Sequence, residues 1–242
     1  MNIIQEHLEL PSKGHHYSVK LNHTFKIRSM TTEDEMKRLN STGGLPYRNL
    51  VDMIDGCILD KVGISCYDFH LTDFQYTLVQ LRALTYGKQF KYSSYCTLCG
   101  DECKEERDLD SLEFPEIAPQ KPFQISNNVE IALNMLTPRL IDLIKKKTKD
   151  YVSRHKCSDE TAILLVAPIV LIKSINDERQ DEVKTEIFLK KLSMRDMNMI
   201  QHKCNDLIAT SELLLNNSCG RCGTDYSYTF PFSNEFFRPN CD

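Results

Sequence analysis

The spacing of hydrophobic and polar positions changes several times along the chain, and each change marks an element. Residues 1–18 read as extended and irregular, with a turn signalled by Leu10-Pro11-Ser12-Lys13-Gly14. Tyr17, Val19 and Leu21 then alternate with polar residues, and Phe25-Lys26-Ile27-Arg28 alternates again, which predicts two short strands. Thr31-Thr32-Glu33-Asp34-Glu35 opens a helix. Thr32 and Glu35 have capping-box spacing, and the acids of the first turn suit the helix dipole. Gly43-Gly44-Leu45-Pro46 breaks the chain before a helix from about Tyr47 to Leu59. Thr72 is expected to cap a third helix, with Phe74, Leu78, Leu81, Ala83 and Leu84 as its apolar stripe and Gly87 as its stop.

The period then falls to two. Gln89 to Tyr95 reads as a strand running into Cys96-Thr97-Leu98-Cys99-Gly100, and Lys104 to Leu109 reads as its return. Pro115, Pro119 and Pro122 make the next stretch a linker. Residues 123–215 read as mostly helical. They show caps at Thr137, Ser158 and Ser193, an apolar helix over 159–175, a charged loop from Asn176 to Asp181, and a last helix reaching about Leu215. After Cys219-Gly220-Arg221-Cys222-Gly223, alternating aromatics from Tyr226 to Phe230 predict a strand.

The expected class is therefore α+β: a discontinuous zinc-ribbon-like β region with N-terminal helices and an inserted, mostly helical domain. Residues 1–114 plus 216–242 would form the first unit and 123–215 the insert.

The chemistry lies in the two Cys-x-x-Cys-Gly motifs. Two thiolates three positions apart grip one tetrahedral ion only if the chain turns tightly between them, and the following Gly permits the positive φ that closes the turn. With ten Cys in 242 residues, two such motifs arise by composition with a probability on the order of 10⁻⁴. Cys96, Cys99, Cys219 and Cys222 are thus the candidate ligands of one structural zinc. Four thiolates leave no open coordination position for catalysis. The motifs lie about 120 residues apart, against about 15–20 in a compact ribbon, so the ends of the insert must lie close together.

Cys103 is a conceivable substitute ligand. Redox pairs and two unrelated buried thiol pairs are the other readings of the motifs. Cys57, Cys66, Cys157, Cys204 and Cys241 read as small core or surface residues, and His15-His16 as a solvated turn.

Bulk composition narrows the rest. With 41% hydrophobic and 26% charged residues the chain can bury a core. The net charge of -4 disfavours a general nucleic-acid binder, and Lys145-Lys146-Lys147 reads as a solvated helix face. No leader and no membrane-length apolar run are seen, so the cysteines are read as thiols. There is no Gly-rich phosphate loop, no His-Glu-x-x-His and no nucleophile elbow, so an enzyme is not expected and no small-molecule substrate is assigned.

Several strings in order carry a family likeness. Leu10-Pro11-Ser12-Lys13-Gly14 with Tyr17, Met30-Thr31-Thr32-Glu33-Asp34-Glu35, Asp73 with Leu81-Arg82-Ala83-Leu84-Thr85-Tyr86-Gly87, and the Cys96/Cys99 knuckle resemble baseplate hub proteins of T4-like contractile-tailed phages, over residues 8–112. The resemblance implies a structural or assembly role, with other baseplate or hub proteins as partners. The protein would then reside in the virion tail baseplate, or in the host cytoplasm during assembly. Arg82 and Tyr86 share a helical face that is either an interface or that of an ordinary amphipathic helix with Arg82 pairing locally. Residues 1–18 hold few apolar side chains and are expected to be ordered by a partner. The alternative function is a zinc-ribbon regulator that binds nucleic acid or polymerase. It is disfavoured by Asp101, Glu102, Glu105, Glu106 and Asp108 around the first knuckle.

Overall fold

The computed structural model describes residues 3–39, 45–232 and 234–237. The Gly43-Gly44 break and Cys241 fall outside them. Helix forms 45% and strand 21%, the strands in small separate antiparallel sheets, so the class is α+β as expected.

The first sheet departs from the expectation. Strand β1 (Gln5–Glu9) pairs with β2 (Thr24–Arg28), placing Leu8 opposite Phe25. The alternation at Tyr17, Val19 and Leu21 makes no strand. Those residues belong to the connection between β1 and β2, where Leu21 is buried and Val19 is exposed. Nor does the N-terminal segment wait for a partner. Leu8 and Leu10 enter the core, and the turn that follows is clasped by Asp73, which accepts from the Ser12 amide at 3.0 Å and the Tyr17 hydroxyl at 2.7 Å.

Helix α1 (Thr32–Leu39) begins with a reciprocal cap one residue earlier than the sequence suggested. The Asp34 amide donates to Thr31 Oγ1 at 3.4 Å, and the Thr31 amide donates to Asp34 Oδ2 at 2.9 Å. Helix α2 (Pro46–Cys57) follows, then α3 (Leu71–Tyr86). The residue preceding α3 is His70, while Thr72 is buried inside its first turn. Helix α3 stops at Gly87, whose φ of 91° is a conformation a side chain would resist. Strands β3 (Gln89–Tyr95) and β4 (Glu102–Asp108) then form a hairpin in full register from Gln89↔Asp108 to Tyr95↔Glu102.

The middle of the chain is helical but also holds a sheet that the sequence did not announce. Strands β5 (Phe123–Gln124) and β6 (Glu130–Leu133) precede helices α4 (Pro138–His155) and α5 (Asp159–Leu171). Strands β7 (Ile172–Ile175) and β8 (Glu178–Arg179) then complete the order β5-β6-β7-β8. The apolar helix expected over 159–175 therefore ends at Leu171, and its last four residues are β7. Helices α6 (Glu182–Leu189) and α7 (Met194–Thr210) follow. The segment expected to extend α7 becomes β9 (Leu214–Ser218), which pairs with β10 (Asp225–Thr229).

The three caps read in the middle of the chain hold. Thr137, Ser158 and Ser193 hydroxyls accept from the amides of Leu140, Thr161 and Asp196.

The middle helices pack directly on the N-terminal ones. Buried Asp142 of α4 accepts from the Tyr47 amide at 3.2 Å and the Tyr67 hydroxyl at 2.9 Å. The Leu71 amide donates to the Leu136 carbonyl at 2.9 Å. Most buried apolar side chains, from Leu8 to Phe237, form one contiguous cluster, and Cys96, Cys103, Cys219 and Tyr226 form a second, smaller one. Among the described residues no helix is long and apolar enough to cross a membrane.

Candidate metal centre

Two hairpins built alike bring the four cysteines together. At the tip of β3–β4 the Cys96 amide donates to the Asp101 carbonyl at 2.9 Å and the Gly100 amide to the Cys96 carbonyl at 2.9 Å. At the tip of β9–β10 the Cys219 amide donates to the Thr224 carbonyl at 2.9 Å and the Gly223 amide to the Cys219 carbonyl at 2.8 Å. Gly100 and Gly223 share a φ of 70°, the left-handed turn that their position after the second cysteine requires.

The four Sγ atoms all lie within 4.8 Å of one another and belong to free thiols. Across the gap Cys96 faces Cys222 at 3.6 Å and Cys99 faces Cys219 at 3.7 Å. Ligands about 2.3 Å from a tetrahedral ion stand about 3.8 Å from each other, so this set fits one metal ion of that size. Cys96 and Cys219 are buried, whereas Cys99 and Cys222 face solvent.

The thiols are unequal. Hydrogen bonds from Thr224 pull Cys222 down to about 6. For Cys99 the Asp101 amide favours the thiolate, but lost hydration and the neighbouring sulfurs outweigh it and push the group up to about 12. Four thiolates this close repel one another, and a divalent cation removes that conflict.

Cys103 stands outside the set, 3.8 Å from the Asp101 carbonyl oxygen. Its place follows from register. Cys103 lies opposite Ser94 as Tyr226 lies opposite Asn217, so the two residues occupy equivalent positions behind the cysteines.

This second layer is a polar network that the sequence reading missed. Asn217 Nδ2 donates to Ser94 Oγ at 3.2 Å, the Ser94 and Tyr226 hydroxyls are 2.7 Å apart, and the Tyr92 hydroxyl donates to Asn217 Oδ1 at 3.0 Å. Arg107 donates to Asn217 Oδ1 at 3.0 Å and to the Asn216 carbonyl at 2.7 Å. A signal was present: Ser94 and Asn217 each precede a knuckle by two residues and so share a strand face with its first cysteine. On the solvent side Arg221 pairs with Asp101 at 3.3 Å, tip to tip.

Two other sequence candidates lie away from the four cysteines. Arg82 is fully buried, so it is not on an exposed interface, and it pairs locally as the second reading had it while also reaching across the chain. Its guanidinium donates to the carbonyls of Gly87, Gln89 and Phe236 and lies 4.9 Å over the Phe90 ring. His15 and His16 are exposed in a turn, as expected, with their ring centroids 6.2 Å apart.

Comparison with known proteins places the chain. The sequence model of a family described as "T4 bacteriophage base plate protein" matches residues 1–238. The chain belongs to that family. Since the match spans both hairpins and everything between them, the base plate assignment covers all four cysteines. Membership carries a structural role in the phage baseplate, contact with other phage tail proteins, and a place in the virion tail. No curated protein and no solved structure matches the chain.

Proposed function

We propose that this base plate protein is a structural or assembly component of the baseplate hub. In this reading it acts by binding other baseplate or hub proteins, and one structural zinc ion on Cys96, Cys99, Cys219 and Cys222 ties its two hairpins together. The observation that carries the zinc reading is the approach of four Sγ atoms to within 4.8 Å. Soft thiolates select zinc, copper(I) or iron, and a closed set of four suits a structural ion. The centre then makes a ribbon-like unit of residues 1–114 and 216–242, with 123–215 as the insert. The hub, and residence in the host cytoplasm during assembly, follow from the N-terminal resemblance. The reading assigns no catalytic residue and no small-molecule substrate. A nucleic-acid ribbon is disfavoured, because Glu102, Glu106 and Asp108 are exposed on the first hairpin, where phosphate binding calls for cations.

Metal analysis of protein purified under reducing, chelator-free conditions tests the zinc. About one zinc per chain is expected, lost in Cys96→Ser and Cys222→Ser and kept in Cys103→Ser. An absent metal, or stoichiometric iron or copper, would overturn the zinc assignment. Cross-linking mass spectrometry on assembled particles tests the hub: cross-links confined to peripheral baseplate proteins would overturn that part.

A further inference from the structure

Charge is unevenly placed on this chain. The net charge is -4, yet α4 carries six Lys or Arg against two Asp. One of those acids, Asp142, is buried beneath Tyr47 and Tyr67 and presents nothing to solvent. Arg139 pairs with Asp68 and Lys147 with Glu182. Lys145, Lys146 and Lys149 are exposed and make no ion pair among the described residues.

The helix dipole explains only part of this. Arg154 and His155 sit in the last turn, where a cation is favoured, but that field fades within a turn and does not reach Lys145, Lys146 and Lys149. Lys149 stands four residues from Lys145 and three from Lys146, so it shares a face with both and repels them at a cost to the helix.

The opposite charge gathers elsewhere. Glu6 and Glu9 on β1, Asp108 at the end of β4 and Asp110 just beyond it are all exposed. They converge on one place. Lys88 bonds to Asp110 and feels Asp108 and Glu6, and Tyr76 feels Glu6, Asp110 and Glu9. Among the described residues no ion pair joins this acidic face to α4.

We infer that the basic face of α4 is a docking surface for the acidic β1–β4 face of a second copy of this chain. Lys145, Lys146 and Lys149 on α4 and Glu6 and Glu9 on β1 carry opposite sign and make no ion pair among the described residues, so charge complementarity points to a second copy as the occupant. Two different patches make a heterologous contact, which closes into a ring or extends as a filament. The inference goes beyond binding to other tail proteins and needs none of them for its test.

Sedimentation of the purified full chain is measured over a concentration series at about 50 and about 500 mM salt. The average mass rises with concentration at low salt, and the apparent Kd weakens at least about tenfold at high salt. Lys145→Glu/Lys146→Glu/Lys149→Glu and Glu6→Lys/Glu9→Lys are each monomeric alone, with wild-type circular dichroism. Mixed in equal amounts they associate again, because one variant presents two acidic faces and the other two basic ones. A wild-type chain that stays monomeric at low salt overturns the proposal. So do variants that still self-associate, or a mixture that does not recover.

Discussion

Asn217 meets Ser94 at 3.2 Å across the two hairpins, each two residues ahead of the first cysteine of its own knuckle. The contact lies behind the four cysteines, with Asn217 only 4% exposed, so no solvent stands ready to replace a lost partner. Asn217 also accepts from Tyr92 and Arg107, which makes it the junction of the network.

Asn217→Leu should therefore cost about 2–4 kcal/mol, since it strands several buried groups at once. Tyr92→Phe, which removes one donor, should cost about 1 kcal/mol. Urea denaturation at neutral pH with metal present measures both. Equal midpoints for the two variants would show that Asn217 is not the junction.

Arg82 is a second strut. Its bond to the Phe236 carbonyl crosses from α3 to the far end of the described chain. Arg82→Leu should cost about 3 kcal/mol by leaving three carbonyls without a donor. Arg82→Lys should recover little of this, because one ammonium cannot span a fork of acceptors. Hydrogen exchange at residues 236–237 should rise in both variants. Unchanged protection there would detach the C-terminal turn from Arg82.

His70 supplies a pH dependence. Burial, above all, holds its pKa below the usual 6.5 despite the pull of Asp73, and neither ring nitrogen has a hydrogen-bond partner. The unfolded chain thus binds a proton more readily than the fold does. Stability is full above 6.5 and falls as pH drops below it. His70→Phe keeps the stack on Tyr17, whose ring lies 4.0 Å away. It should match or exceed wild type at pH 7 and flatten the slope between about pH 6.5 and 5. A slope as steep in the variant would place the titration elsewhere.

Leu10, 1% exposed, tests the N-terminal segment. Leu10→Ala should cost about 2–4 kcal/mol by cavity formation, read as a fall in melting temperature. Had the segment been ordered only by a partner, the isolated protein would not register the change.

What the sequence revealed and concealed follows from the range of the signals. The hairpins were legible because Gln89 to Tyr95 alternates cleanly and each Cys-x-x-Cys-Gly marks its own tip. Thr137, Ser158 and Ser193 were legible because a cap acts within three residues. Strand β7 was hidden because Ile172 continues the apolar run of α5, and hydrophobicity without a period does not show where helix gives way to strand. Strand β1 has a single buried side chain, Leu8, too little to display alternation. Strand β9 reads as polar because Asn217 finds its partners on the other hairpin and Asn216 accepts from Ser227 on the neighbouring strand β10. The local pairing of Arg82 was legible, but its burial was not, because its third acceptor lies 154 positions away.

The hairpins mate across about 120 residues of intervening chain, and synthesis is directional. At roughly 5–20 residues per second, a ribosome completes Cys219 some 6–24 s after Cys99. For that interval the first knuckle holds two thiolates of a four-thiolate site, and the inward groups of Tyr92 and Ser94 have nothing to meet. Most of the polypeptide must therefore be made before either hairpin has its mate. A message broken anywhere between the two knuckles yields a product that carries reactive sulfur and an unpaired face, the kind of fragment that cellular proteases recognise and clear.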